Sequence, residues 1–445
     1  MRNALVLTGL LAAAILCFST AGWLVGQASM AGSDESAILG PSSDIPPGVR
    51  FIMVALGGFR GLLADALWVR ASRLQDEGNV FEVAQLTEWI TQLEPRSPEV
   101  WSYHAWNLAY NIASLFPDPA DRWRWVNNGI RLLRDRGIRS NPRDSRLYWE
   151  LGWLYADKAA GRWDSAQLYY RASLAGEMSE LMGGERFRVE AVESNAMMAA
   201  RFAAVGLRPE IMALADETYG PLDWRLPESH ALYWGLRGRP FQTPESRWCD
   251  RLIWNAMTGM VDGGALYFDS ASQLYLRGPR LDLAIKGVRR CEGEGVFSAP
   301  LTVLAGEQFL REAMVWLYAF GRKDEADEAV AVLRRLPDSQ LGTQPLDVVV
   351  RQELALRLKG VDRQAGMNLV EGLLVRGYLW KALKSPDIGA GLELLARLHW
   401  EALVSLLGPG ETGMGDQGWR EISQRALETA RRELPNPGRS PAGGN

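Results

Sequence analysis

The stretch Gly78–Trp101, GNVFEVAQLTEWITQLEPRSPEVW, decides how the chain is read. Gly78-Asn79 makes a tight turn, and Val83, Leu86, Ile90 and Leu93 then recur at three- and four-residue spacing. That spacing places them on one face of a helix over Val80–Leu93. Leu93-Glu94-Pro95 stops the helix and Pro98-Glu99-Val100-Trp101 starts another, because proline suits a first helical turn and blocks an interior one. The segment is therefore the back half of one helical hairpin running into the front of the next.

The pattern continues on both sides. A helix over Gly61–Glu77, with Leu63, Leu67, Val69 and Leu74 among its apolar positions, is the partner of Val80–Leu93. A helix over Pro98–Leu115 carries Trp101, Ala105, Leu108 and Ala109, and pairs with a long one over Pro119–Arg136, closed by Asn141-Pro142. A third unit opens at Ser145-Arg146-Leu147-Tyr148 and carries Leu151-Gly152 and Tyr155. Gly161–Ala166 repeats the turn-and-helix pattern and leads to Tyr169 and Tyr170.

These positions resemble the tetratricopeptide repeat family over about residues 61–175. Trp101 with Ala105, and Tyr148 with Gly152, match the large and small residues of the family's first helix. Gly78 matches its turn, Ala166 its early small residue in the second helix, and Pro95 its closing proline. The physical reason is contact distance: small residues let two helices approach, and bulky ones fill the seam beside them. Val83 sits where the family prefers Ala, and Pro95 and Pro142 lie 47 residues apart rather than about 34, so the second unit carries an insertion. A weaker island covers about residues 301–376: Leu310, Leu317, Gly321, Ala326 and Val330 keep the spacing, Pro337 falls one place early, and Val348–Lys359 with Asp362–Arg376 form a further hairpin. Leu392–Leu407 adds a helix. The resemblance implies an all-α fold, an α-solenoid of antiparallel helical hairpins, whose inner wall holds a protein or peptide partner. By that analogy the groove positions are Tyr103, His104, Asn107, Asn111, Tyr148 and Trp153.

Composition narrows the function classes. Hydrophobic residues are 47% and charged residues 23%, enough apolar side chain to order most of 445 residues. The net charge of −4 and the lack of any block of like charges argue against a nucleic-acid partner. Only six of the 49 cationic side chains are lysine, an arginine-rich usage that resembles a bacterial protein of high GC content. Eighteen Trp residues either fill helix seams or line a binding surface, so a glycan or cell-wall binder is the competing reading. Three cysteines cannot close a disulfide framework; Cys249 and Cys291 read as core thiols, with pairing left open if the chain is exported.

Ala4–Val25 carries no charge. About 22 helical residues span about 33 Å, enough for the hydrocarbon layer. Arg2 precedes the run and Asp34 and Glu35 follow, which places the body outside the cytoplasm. The length favours an uncleaved signal anchor over residues 1–31. Small residues at Gly26-Gln27-Ala28 and Ser29-Met30-Ala31 keep a cleaved signal, and a secreted or periplasmic chain, as the alternative. Leu16 before Cys17 disfavours lipidation there. The partition is then a polar tether (32–50), N-terminal repeats (51–180), an irregular middle (181–300), C-terminal hairpins (301–408), and a polar helix with a disordered tail (409–445).

The irregular middle is expected to hold helices over Phe187–Ala204, Pro209–Glu217, Glu228–Leu236 and Glu245–Val261, and a small β-hairpin over 265–277. It also holds the densest polar-aromatic cluster, with Asp223, Trp224, Arg225, Glu228 and His230 close in sequence. An enzyme would centre its site there; a capped helix start explains the same residues, since Pro227 suits a first turn and Glu228 favours the helix dipole. The three histidines, His104, His230 and His399, lie far apart, and no Gly-x-Ser-x-Gly elbow, zinc spacing or phosphate loop is present. No catalytic residue, metal or cofactor is assigned. Trp123-Arg124-Trp125, with Arg122 and Arg131–Arg139 nearby, reads as a basic-aromatic helix face suited to an acidic partner or solvated by its own acids. The expectation is a membrane-anchored extracytoplasmic scaffold that binds a protein or peptide, not an enzyme.

Overall fold

The computed structural model describes residues 60–161, 164–184, 186–241, 243–269, 274–293, 300–336, 339–383, 385–408 and 415–434. The expected anchor and tether, Pro337, the turn of the β-hairpin and the tail after 434 lie outside them. The described chain is almost wholly helical, with one two-stranded sheet. No helix among the described residues is long and apolar enough to cross a membrane.

The chain divides into two units. The first holds described residues 60–115 and 127–142, the second 116–126 and everything from 143 on. In the first unit α1 (Arg60–Asp76) and α2 (Val80–Leu93) form the expected hairpin. Gly78 takes a left-handed φ of 75°, which favours glycine, and the Asn79 side chain caps α2 by accepting from the Glu82 amide. Two small clusters fill the seam, Ala64 with Ile90, Leu93 and Val100, and Ala71 with Leu74, Val83 and Leu86. α3 (Pro98–Trp106) follows, with proline in its first turn.

The expected helices Pro98–Leu115 and Pro119–Arg136 are corrected in their interiors. α3 passes into a π-helical turn over Asn107–Ile112 and a 3-10 turn over Ala113–Leu115. α4 (Pro119–Arg131) passes into a π turn over Leu132–Gly137, then into the short α5 (Ile138–Ser140). Close approach accompanies both: a Cβ on Gly129 would lie 2.9 Å from the Ala105 carbonyl oxygen, and one on Gly137 would lie 3.3 Å from the Trp101 side chain. The small-residue seam expected around Trp101 and Ala105 is thus closed by glycines.

The second unit opens with α6 (Ser145–Trp153), capped by Asp144 and continued by a third π turn over Leu154–Ala159. α7 (Gln167–Met182) follows, with Ala166 just before it rather than inside it. The expected helix Phe187–Ala204 is two, α8 (Val189–Glu193) and α9 (Ala196–Ala204). Asn195 breaks them because its side chain accepts from the Met198 amide and starts a new helix. α10 (Pro209–Tyr219), α11 (Pro227–Gly238) and α12 (Ser246–Gly263) come next. Strands β1 (Ala265–Asp269) and β2 (Leu274–Gly278) pair antiparallel with Tyr267 opposite Leu276, the hairpin expected over 265–277. An amphipathic helix that the sequence reading left as irregular, α13 (Leu281–Cys291), leads to α14 (Pro300–Ala319) and α15 (Lys323–Arg334). Gly321, at φ 73°, turns between α14 and α15 as Gly78 does between α1 and α2. α16 (Leu346–Leu358), α17 (Arg363–Ala382), α18 (Pro386–Leu407) and α19 (Asp416–Glu433) complete the chain. α17 and α18 run further than expected; α18 begins at Pro386, where proline again suits a first turn.

Half of the described tryptophans are core, among them Trp101, Trp123, Trp224, Trp234, Trp254 and Trp316. Cys249 and Cys291 are free and buried. Gly152, at the family's small position, faces α11 and α12; a Cβ there would stand 2.4 Å from Leu252 Cδ2 and 3.1 Å from the Ala231 carbonyl. Gly152→Ala is expected to destabilise the folded chain by about 1–3 kcal/mol through overpacking. Gly176→Ala, in open space within α7, is expected to stabilise it by up to about 1 kcal/mol. Denaturant midpoints of the two variants check the pair.

Candidate functional site

The groove positions do not share one environment. In the first unit His104 is buried; its Nδ1 lies 2.8 Å from Thr87 Oγ1 and its Nε2 3.4 Å from Glu88. Glu88 also takes both terminal nitrogens of Arg136, at 2.8 and 2.9 Å. Burial alone would raise the Glu88 carboxyl; the bonds from His104 and Arg136 outweigh it and hold its pKa at about 2. Asn107 is buried, donates to the Val80 carbonyl and accepts from Asn111 at 2.9 Å. His104 and Asn107 therefore serve the seam of α2 with α3, and offer no groove surface. Tyr103 is half-buried, edge-on to Trp68 at 4.9 Å, with its hydroxyl on Gln75. In the second unit Tyr148 is buried beside Trp234 and Phe241, with the Arg237 guanidinium over its ring. Trp153 is half-buried and stacks on Trp149.

The first unit exposes several large apolar side chains among its charged ones. Phe81, Trp89 and Trp106 are 51%, 46% and 41% exposed, and Leu62 and Val69 more so. Phe81 and Trp106 adjoin in sequence the two residues joined by the Asn107–Val80 bond, and Trp106 stacks on Tyr110 at 5.8 Å. The Glu88–Arg136 pair lies next to Trp89, a polar neighbour to an aromatic surface.

The polar-aromatic cluster of the middle splits in two. Asp223 and Arg225 form a bidentate pair at 2.9 and 2.7 Å, and Arg225 also donates to the Leu266 carbonyl. His230 is buried; its Nε2 donates to the Trp224 carbonyl at 3.0 Å and its ring stacks on Tyr155 at 4.8 Å. Burial depresses its pKa to about 4. Among the described residues no carboxylate is hydrogen-bonded to it.

Glu228 instead turns to a different set of residues. It is buried, and its Oε1 accepts from Arg171 Nη2 at 2.8 Å and from Arg277 Nη2 at 2.9 Å. Arg171 adds a second bond to Oε2 and one to the Ala160 carbonyl. Arg277 also donates to the Gly263 and Gly259 carbonyls, which close the C-terminal end of α12, and Arg376 donates to the Asp262 carbonyl and carboxylate beside them. A Cβ on Gly263 would stand 2.3 Å from the Arg277 guanidinium, so a larger residue there would have to shift that side chain. Burial alone would raise the Glu228 carboxyl; Arg171 and Arg277 reverse it and hold it below the usual carboxylate range. Burial, and then Arg171, push the Arg277 guanidinium the other way, below its ordinary value.

Arg171, Tyr275, Arg277 and Arg376 form one wall of a cleft of about 760 Å³ within the second unit. Leu369, Leu373 and Leu379 of α17 are on its apolar side, and Asp262, Glu312 and Arg357 also border it. His399, whose Nδ1 donates to the Leu395 carbonyl, reaches it from α18, and burial holds its pKa at about 4. The volume is that of a small-molecule site. A general sequence signal for this cleft did exist: Tyr275 and Arg277, two residues apart on a short strand, share one face. The cluster reading stopped at Glu228 because its partners lie 57 and 49 positions away.

Around the expected basic-aromatic stretch, Arg122 pairs with Asp164 at 3.1 Å and Arg124 with Asp121, while Trp123 is buried and stacks on Tyr170. Among the described residues no group of three His, Cys, Asp or Glu side chains is placed to hold a metal ion. The chain matches no protein-family model, no curated protein and no solved structure.

Two outcomes follow from the buried charges. Glu228→Gln leaves two buried guanidinium groups without a counter-ion and is expected to cost about 3–5 kcal/mol in denaturant unfolding. His230 and His399 are held neutral in the folded chain with pKa values near 4, below their ordinary 6.5. The unfolded chain therefore binds more protons between those values, so stability is full above pH 6.5 and falls as the pH drops towards 4. Each group contributes up to about 3 kcal/mol to that fall. His399→Leu is expected to flatten the stability-against-pH curve in this window alone.

Proposed function

We propose that this chain is a helical scaffold of the tetratricopeptide type, and that its first unit holds a protein or peptide partner on the aromatic surface of α2 and α3. The observation that carries the reading is the exposure of the large apolar side chains of Phe81, Trp89 and Trp106 on the first unit. Exposed aromatic side chains rimmed by paired charges are the composition of a protein interface, where a few rings supply most of the affinity. Placement, not bond chemistry, is the proposed work. The cleft arginines are already engaged by carboxylates and carbonyls, His230 and His399 are buried on carbonyls, and the thiols of Cys249 and Cys291 are buried and pushed up to about 12. The apolar run Ala4–Val25 supports a membrane anchor with the scaffold on its extracytoplasmic side. The sugar-binding alternative is weakened because, among the described tryptophans, only Trp89 and Trp106 are largely exposed, which leaves few faces for stacking.

A photo-crosslinking side chain placed at 89 or 106 in the full chain, in its native membrane, tests the reading. Discrete adducts to one protein are expected from both positions and not from position 356, where Leu356 is 63% exposed on the second unit. Phe81→Glu is expected to reduce them at least tenfold. Equal labelling from 356, or adducts indifferent to Phe81→Glu, would remove the first unit from the role.

A further inference from the structure

Around Arg171, Arg277 and Arg376 in the cleft of the second unit, three guanidinium groups are paired with two carboxylates, Glu228 and Asp262. Arg171 and Arg277 share the single carboxylate of Glu228, and the carbonyl end of α12 offsets the surplus only in part. A buried surplus charge is costly unless a counter-charge meets it. Two polar groups on the same wall are sealed from solvent and unmatched: the Tyr275 hydroxyl and Arg376 Nε have no hydrogen-bond partner among the described residues. Buried donors left open in this way call for an acceptor that is not part of the chain. The leucines of α17 across the cleft offer the occupant an apolar side rather than water.

We infer that this cleft binds an aliphatic monocarboxylic acid. Its carboxylate accepts from Tyr275 Oη and balances the Arg171–Arg277 pair, and its hydrocarbon chain lies along Leu369 and Leu373. One negative charge fits better than two. Asp262 and Glu312 border the same space, so a phosphate dianion would meet two carboxylates after neutralising one surplus cation. The apolar side excludes a small hydrophilic anion for the same reason that it accepts a methylene chain, at about 0.8 kcal/mol per buried methylene.

The test uses the full chain in a non-ionic detergent and octanoate labelled with carbon-13 at its carboxyl group. A saturable, shifted carboxyl resonance is expected, displaced by unlabelled octanoate and not by octanol or inorganic phosphate at equal concentration. Tyr275→Phe is expected to weaken binding about tenfold, the worth of one hydrogen bond to a charged group. Because that hydroxyl makes no hydrogen bond among the described residues and Arg171 keeps its bonds to Glu228 and Ala160 without it, the variant should fold as well as the parent. Leu369→Asp, at a side chain already 40% exposed, should abolish binding with the fold kept. The absence of a saturable resonance, unchanged affinity in Tyr275→Phe, or displacement by phosphate as effective as by octanoate would each overturn the assignment. Crosslinking at positions 89 and 106 is read separately and stands or falls by itself.

Discussion

The second unit is organised around one carboxylate that water does not reach. Glu228 sits in the first turn of α11 and is gripped by Arg171 from α7 and Arg277 from β2. Those arginines also satisfy carbonyls at Ala160 and at the end of α12. Four separate elements thus meet at one buried ion group. Such a group gives little net stability over a well-packed apolar equivalent, but its pieces tolerate no misplacement, because each guanidinium left alone would be a buried charge. The β-hairpin is the clearest dependant. A two-stranded sheet is marginal alone, and here Arg277 is tied on both sides: its side chain to Glu228 and its carbonyl to Trp380 Nε1 at 3.0 Å. Gly278 next to it leaves the room that the Trp380 ring occupies.

In the first unit the corresponding constraint is closeness rather than charge. Gly129 and Gly137 come so near to Ala105 and Trp101 that a methyl group would collide with them. Arg136, on the same turn as Gly137, covers the Trp101 ring at 5.2 Å and reaches Glu88. Thr87 and His104 fill the polar side of the same seam. The result places its small residues at the helix contacts and leaves Phe81, Trp89 and Trp106 outside.

Much of the helical layout was legible because it rests on local rules. The turn at Gly78-Asn79, the boundaries of α2 and the prolines that open α3, α10 and α11 follow from φ preferences and capping, which act within a few residues. The strands were legible from the alternation in 265–277. The break at Asn195 was missed because the same residue type suits a helix surface or a cap, and only the bond to Met198 decides. The bonds of His104 to Thr87 and of Asn107 to the Val80 carbonyl were not legible, because their partners lie 17 and 27 positions away. The cleft was not legible. Arg171, Tyr275 and Arg376 come from elements whose adjacency is a matter of long-range packing, and beyond the shared strand face of Tyr275 and Arg277 no spacing in the chain announces it.

Three π turns, at Asn107–Ile112, Leu132–Gly137 and Leu154–Ala159, each contain a bond reaching back five residues, as from Ala113 to Leu108, Ile138 to Leu133 and Ala160 to Tyr155. Each is in effect one extra residue accommodated inside a rod, and one residue is about 100° of rotation. Side chains beyond the bulge therefore point to a different compass bearing from the one an unbroken rod would give them. A lineage that gained or lost a single residue there would swing a whole helical end to a new azimuth without disturbing the turn that follows. The bulges are in that sense dials, which set the bearing of the side chains on each helical end that follows them.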